Sequence, residues 1–131
     1  MLLDEIGNYL QAQAVGTLGT DLFTGTLPDA PDACTGLMEY GGAAPVHALG
    51  GGQAKYERPR LQVVVRATTY TAARTKIETV YKLLQALSNT TLSSVRYLSV
   101  EAVASPAFLE RDANNRVKLV VNFQIHKELS P

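Results

Sequence analysis

The sequence predicts an α+β fold, in which an antiparallel or mixed β-sheet carries two helices on one face as a two-layer sandwich. Two segments repeat apolar residues every three or four positions, as amphipathic helices do. Three other segments alternate apolar and polar residues, which is typical of strands buried on one side. The expected order is α-β-β-loop-β-α-β-β, in a single domain that spans residues 1–131.

The first half of the chain begins with an amphipathic helix. Leu3, Ile6 and Leu10 recur at helical spacing and form an apolar stripe. Two short strands are expected after this helix, at residues 21–27 and 35–40. Together these segments make the α-β-β part of the predicted order.

Two connecting segments interrupt this half. Residues 27–32 contain two prolines and two aspartates, which fix the backbone and favour turns, so an ordered, extended connector is expected there. Residues 41–57 are rich in glycine and contain few large apolar side chains. Long loops without their own secondary structure are uncommon in compact domains and are usually functional. The sequence therefore predicts a glycine-rich loop or arm at about residues 41–57.

The second half of the chain has the strongest patterns. Alternation predicts strands at residues 60–68, 95–105 and 116–128, and helical spacing predicts a long helix at residues 71–87. The last two strands should form an antiparallel hairpin with a fairly long connection. A strand, a helix and a hairpin in this order are compatible with helices that cover one face of a sheet.

Alternation also predicts which side chains of the last two strands face the core. In the strand at residues 95–105, Leu98 and Val100 are expected to face inward and Tyr97 outward. In the final strand, the odd-numbered residues from Val117 to Ile125 are expected to face inward.

Composition limits the classes of function. The chain is 46% hydrophobic and 18% charged, as globular proteins are, and disordered chains are less apolar. Twelve Lys and Arg residues balance twelve Asp and Glu residues, so the basic excess of a typical free-standing nucleic-acid binder is missing. Cys34 is the only cysteine, which excludes an internal disulfide. Every apolar run is too short to span a membrane, so no membrane partner is expected.

The residues with catalytic potential do not form a recognisable motif. His47 and His126 lie in different elements, without ligands at metal-binding spacing. Cys34 has no neighbouring base that would generate a thiolate. The glycines at 50–52 lack the spacing and the following helix of a phosphate-binding loop. We therefore predict no catalytic residue, no metal and no cofactor.

One acidic group leaves two interpretations open. Asp21, Asp29, Asp32 and Glu39 lie close in sequence and could line a metal or acid–base site. Aspartate beside proline more often forms turns, which is the interpretation that the connector favours.

A basic stretch supplies the candidate interface residues. Arg58, Arg60 and Arg66 share strand parity, so all three side chains could project from one face and contact an acidic partner or DNA. Tyr40 and Tyr56 complete the set, because Tyr and Arg are enriched at protein interfaces. The alternative is a solvated sheet face without a partner.

Three local patterns occur in an order that resembles a known family. They are Asp21-Leu22-Phe23-Thr24-Gly25 before Leu27-Pro28-Asp29; Pro31-Asp32 before a strand that ends Tyr40-Gly41-Gly42 and is followed by Pro45; and Arg60-Leu61-Gln62-Val63-Val64-Val65-Arg66 before a helix that contains Leu83-Leu84-Gln85-Ala86-Leu87. Over most of its length, the chain is similar to the minor capsid and tail terminator proteins of long-tailed, siphovirus-type bacteriophages.

The resemblance implies a structural virion protein without enzymatic activity. Such proteins form a homo-oligomeric ring, typically a hexamer, that caps the tail tube, stops its elongation and joins it to the head connector. The implied partners are further copies of the chain, the tail tube protein and the head–tail connector protein. DNA would pass through the ring without sequence-specific binding. The implied location is the virion tail at the head–tail junction, after assembly in the cytoplasm of the bacterial host.

Other functions are also compatible with the sequence. A head–tail connector completion protein would have a similar size. A non-catalytic domain that binds a small ligand or a regulator would need a convergent polar pocket, and an enzyme would need a catalytic group. Size in solution separates these classes, because only an assembly protein should form rings or add to tail tubes.

Overall fold

The computed structural model describes residues 1–47 and 54–129 and shows a mixed α+β fold. Two helices and seven strands lie in this part of the chain. In chain order they are α1 (Leu2–Ala12), β1 (Leu22–Thr24), β2 (Cys34–His47), β3 (Ala54–Ala67), α2 (Tyr70–Gln85), β4 (Ser88–Leu92), β5 (Val95–Ala102), β6 (Ala107–Arg111) and β7 (Val117–Glu128). The strands form one sheet in the order β1-β2-β3-β7-β5-β4, and β6 pairs with β7.

β7 is the central strand because it is paired along both of its sides. The antiparallel strand β3 runs along one side for its whole length. On the other side, β6 pairs with residues 117–120 and β5 pairs with residues 123–127. β5 and β6 therefore share one side of β7, and residues 103–106 separate them. Pro106 lies in this interruption, where its missing N–H removes a donor from the ladder.

The apolar core lies between the helices and the inward side chains of the sheet. Both helices contribute to the same buried cluster as β3, β5 and β7. Burial alternates along the whole of β7, which confirms the predicted inward face. Among the largest fully buried side chains are Ile6, Leu10, Ile77, Leu84, Leu119, Phe123 and Ile125.

The observed order of elements differs from the predicted one. β4 and β6 were not expected, and residues 41–47 and 54–57 belong to strands β2 and β3 instead of a loop. Gly42 allows β2 to approach β3 closely, because a Cβ atom there would lie 2.6 Å from the carbonyl oxygen of Arg58. The remaining residues of the predicted loop, 48–53, lie outside the described part of the chain.

A β-bulge changes the inward face of β5. The register with β7 shifts between Tyr97 and Ser99, so Val95 and Tyr97 are buried on one side of the shift and Val100 on the other. The prediction that Tyr97 faces outward and Leu98 inward is wrong, because one extra residue reverses the alternation.

Candidate assembly surfaces

All five predicted interface residues lie on one face of the sheet, and four of them are close together there, away from the buried Arg66. We call this the outer face; it carries the even-numbered residues of β3 and β7, opposite to the core-facing side chains. Tyr56, Arg58 and Arg60 follow each other on β3, and Tyr40 lies beside Arg60 in the β2–β3 register. Tyr40 is 37% exposed. Strand parity predicted a shared face for Arg58, Arg60 and Arg66, and their even positions on β3 agree with this. Tyr40 and Tyr56 were chosen for their residue type and lie beside Arg58 and Arg60.

Hydrogen bonds hold the basic side chains of the outer face in place. The guanidinium of Arg60 donates from Nε to Oε1 of Gln124 at 2.9 Å. Nε2 of Gln124 donates to the carbonyl oxygen of Arg58 at 3.3 Å. Arg58 itself donates from Nε and Nη2 to the carbonyl oxygen of Ala44, at 3.0 and 2.8 Å. The register between β2 and β3 shifts after Ala43. The guanidinium of Arg58 therefore links β3 to the irregular part of β2.

Tyr56 belongs to an aromatic and ionic contact near the end of β7. Its ring meets the ring of His126 edge-on, with 5.7 Å between centroids. Arg96 donates from Nη2 to the hydroxyl of Tyr56 at 3.3 Å, and its Nε lies 3.1 Å from a carboxylate oxygen of Glu128. Within the described residues, the buried atom Nε2 of His126 has no hydrogen-bond partner.

Arg66 has a different role from the one predicted for it. It is only 2% exposed. Its Nη2 donates to the carbonyl oxygens of Pro28 and Pro31 at 2.6 and 2.7 Å, and its Nε donates to that of Asp32 at 3.1 Å. The connector therefore covers this guanidinium, and Arg66 anchors the connector instead of presenting a charge at the surface.

Arg116 anchors the same connector through ion pairs. It contacts a carboxylate oxygen of Asp29 at 2.7 Å, of Asp32 at 3.2 Å and of Asp112 at 2.9 Å. The hydrogen bond with Asp29 raises the pKa of Arg116. The backbone N–H of Arg116 and then its guanidinium hold the pKa of Asp112 below its ordinary value. Asp29 and Asp32 therefore serve to attach the connector, as the turn interpretation favours.

The other acidic residues of that group do not assemble with them. Asp21 accepts a hydrogen bond from the backbone N–H of Thr17 at 2.7 Å. Across residues 1–47 and 54–129, no group of three or more His, Cys, Asp and Glu side chains is placed to hold a metal ion.

A cleft of about 200 Å³ lies beside Cys34. Burial raises the pKa of the Cys34 thiol, although the charges of Arg66 and Arg116 oppose this effect. The other cation in the lining, Lys76, donates to the carbonyl oxygen of Val15 at 2.6 Å. A thiol with a raised pKa is less readily ionised to the reactive thiolate, and the basic side chains of the cleft are engaged by backbone carbonyl groups.

A buried ionic cluster joins α1 to three strands. Nζ of Lys127 lies 2.7 Å from Oε1 of Glu57 and 3.4 Å from Oε1 of Glu5, and Lys127 is fully buried. The hydroxyl of Tyr97 donates to Oε1 of Glu5 at 2.6 Å. Burial, and then this hydrogen bond, raises the pKa of Tyr97. Sequence reasoning missed the cluster, although the odd number of Lys127 places it on the inward face of β7.

The strand β6 forms an exposed apolar edge. All five of its residues are exposed, including Phe108 at 54% and Leu109 at 49%, and nearby Val103 is 56% exposed. β6 pairs with β7 on one side, and no strand of the described chain pairs with its other side. Sequence reasoning missed this edge; its signal was the pair Phe108-Leu109 between a proline and a turn.

A second free edge lies on β2. The short strand β1 pairs only with residues 35–37 of β2. Thr35 donates to the carbonyl oxygen of Asp21, and Leu37 accepts from the N–H of Gly25, so odd-numbered residues direct their backbone groups to this side. Glu39 comes next, and from residue 38 onward no described strand runs alongside. β2 and β6 are thus two different free edges of one sheet.

Comparison with known proteins identifies the family. Residues 9–129 match the family model described as bacteriophage tail terminator protein. The chain belongs to the bacteriophage tail terminator family. The predicted resemblance is therefore confirmed, and this tail terminator is a structural protein of the virion tail. Curated proteins include no significant match to its sequence.

Solved structures show the same fold. A chain from the virion of a native gene transfer agent particle superimposes with a TM-score of 0.63 at 17% identity, over 98% of this chain and 95% of that chain. A second solved chain has a TM-score of 0.52 at 13% identity, over 99% of this chain and 92% of that chain. In the described part of this tail terminator, neither helix has the length and apolar character that a membrane span needs.

Proposed function

We propose that this tail terminator assembles head to tail into a closed ring of six copies. The ring caps the tail tube, stops the addition of tube subunits and joins the tube to the head connector. The observation that carries this proposal is the pair of different free edges, β2 and β6, in a member of the tail terminator family. A ring needs two different surfaces on each subunit, because identical patches close a dimer instead.

The proposal includes the arrangement of the helices. Both helices cover one face of the sheet as a two-layer sandwich, which leaves the outer face for contacts with neighbours and with the tube. Its support is the single apolar cluster shared by α1, α2 and the inward side chains. Tyr40, Tyr56, Arg58 and Arg60 are the proposed contact residues, and Arg66 is excluded because it is buried.

DNA passes through the centre of this ring without being retained. The formal net charge of zero supports this point, because tight non-specific binding to DNA depends on an excess of basic groups. The raised pKa of Cys34 and the ion pairs of Asp29 and Asp32 support a structural role without catalysis.

Tail length tests the proposed function. Tails assembled with the wild-type protein should have a narrow length distribution and a ring at the tube end, when they are measured by negative-stain electron microscopy. Tails assembled without it should lack the ring and elongate beyond the normal length. Equal length distributions in the two preparations, with no ring on either, would contradict the proposal.

A further inference from the structure

We propose that strand addition closes the ring: the free edge of β2 in one subunit, at residues 38–47, pairs antiparallel with β6 of the next subunit. The sheets of neighbouring subunits then become one continuous sheet around the ring. This inference rests on the proposed ring and specifies the contact that builds it.

The first argument is the chemistry of the two edges. A free strand edge presents unpaired N–H and C=O groups, and proteins usually cover, shorten or charge such edges. β6 is short and ends in Glu110 and Arg111, but it also exposes Phe108 and Leu109 beside its free backbone. On β2, Glu39 directs its backbone outward where β1 has already ended. Both edges are therefore suited to accept a strand.

The second argument is strand direction. β3 is antiparallel to both β2 and β7, and β6 is antiparallel to β7. β2 and β6 consequently run in opposite directions within one subunit. Suppose that the next subunit lies beside the first in the plane of the sheet and keeps the same orientation. Its β6 then runs antiparallel to β2 of the first subunit. This arrangement is what a head-to-tail ring requires, and antiparallel pairing is the commoner type.

The third argument is the offset between the edges. Through β3, Tyr40 lies level with Gln124 of β7, whereas Phe108 lies level with Leu119. At about 3.3 Å per residue, pairing Tyr40 of one subunit with Phe108 of the next shifts the neighbour by roughly 17 Å along the strands. Four strand spacings of about 4.8 Å separate β2 of one subunit from β2 of the next: three within the subunit and one across the contact. A shift of about 17 Å over this distance corresponds to strands tilted by roughly 40°. Closed sheets have tilts of about 35–45°, so the offset fits a closed ring.

The fourth argument is charge. On the outer face, β3 carries Arg58 and Arg60 next to β2. At the opposite side of the sheet, the outer face of β5 and β6 carries Glu101 and Glu110, of which Glu110 already pairs with Lys118 at 3.1 Å. Joining β2 to β6 of the neighbour brings the basic group of one subunit towards the acidic group of the next. Opposite potentials across an interface favour its correct register.

Disulfide cross-linking tests this contact. In a Cys34→Ser background, Tyr40→Cys is combined in turn with a cysteine at each position from 107 to 110. Within one subunit β2 and β6 are three strand spacings apart, about 14 Å, whereas a disulfide needs Cα atoms within about 7 Å. Any disulfide between these positions must therefore join two subunits.

The expected result is a ladder of covalent oligomers on a non-reducing gel for at least one pair, which disappears on reduction. Variants with only one of the two cysteines should give no ladder, and all variants should keep the unfolding midpoint of the background. Rings in negative stain without a cross-link from any pair would overturn the strand addition but leave the ring. Dimers from a single-cysteine variant would show two-fold pairing and overturn it. Absence of both rings and cross-links would overturn the proposed function as well.

Discussion

Lys127 places an ammonium group in the interior, where it meets the carboxylates of Glu5 and Glu57. Removing one partner of a buried ion pair is costly because the opposite charge stays behind without compensation. We expect Lys127→Met to lower the free energy of unfolding by about 3–5 kcal/mol, as measured by urea denaturation.

A double-mutant cycle separates this charge effect from packing. Glu5→Gln in the Lys127→Met background should cost less than the sum of the two single changes, because Oε1 of Glu5 no longer faces the ammonium of Lys127, while Oε2 stays 2.8 Å from the N-terminal ammonium of Met1. An unchanged urea midpoint for Lys127→Met would contradict the role of the buried cluster.

The interaction of Asp112 with Arg116 should account for part of the loss of stability of the protein in acid. Its pKa is held below the ordinary value of 3.8, so the native state keeps the carboxylate ionised more readily than the unfolded chain does. It therefore adds stability above the unfolded pKa, and this contribution is lost as the pH falls through the lower native pKa. We expect Asp112→Asn to flatten the fall in melting temperature below about pH 4. Asp4→Asn, on the exposed side of α1, is the control, and an equal effect of both changes would refute this assignment.

At the scale of elements, β7 decides whether the sheet forms. Val121 is 2% exposed in the middle of this strand, whereas its neighbour Val120 points to the outer face and is partly exposed. Val121→Asp should unfold the subunit because it buries an unpaired charge. Val120→Asp makes the same chemical change one position away and should leave a folded protein, as judged by circular dichroism and thermal melting. A soluble, normally melting Val121→Asp would disprove the strand register.

Local patterns predicted the fold where one alternation continues without interruption. Both faces of β7 were predictable because inward and outward residues alternate over its twelve residues. β5 was not, because the register shift after Tyr97 reverses its faces and leaves no mark in the composition. The glycine-rich residues 41–47 were predicted as a loop, since their strand structure depends on pairing with a partner strand beyond residue 53.

The same limit applies to the candidate surfaces. Parity grouped Arg58, Arg60 and Arg66 on one face of the sheet, and their even positions on β3 agree with this. It could not show that Arg66 is covered, because the covering carbonyl groups come from residues 28–32, far away in sequence. The free edge of β6 was also missed, since only the order of strands in the sheet reveals which strand lacks a neighbour.

For the whole molecule, a charge on the β6 edge should separate folding from assembly. Leu109 is 49% exposed, so Leu109→Lys should change the melting temperature little while it prevents ring formation. Thr79→Lys introduces the same side chain on the exposed side of α2 and should assemble normally. Size-exclusion chromatography and the tail-length distribution provide the measurement. Normal rings from Leu109→Lys would contradict a role for this edge.

The two-sided pairing of β7 also gives assembly a signature in amide hydrogen exchange. Amides in the middle of β7 are shielded by strands on both sides, so they should exchange with deuterium slowest whether the protein is free or assembled. The outward amides of β6 and of β2 beyond residue 38 have no such shield in the free subunit. A mass-spectrometric time course should therefore show protection arising in these two segments together, while the deuterium uptake of β7 stays the same.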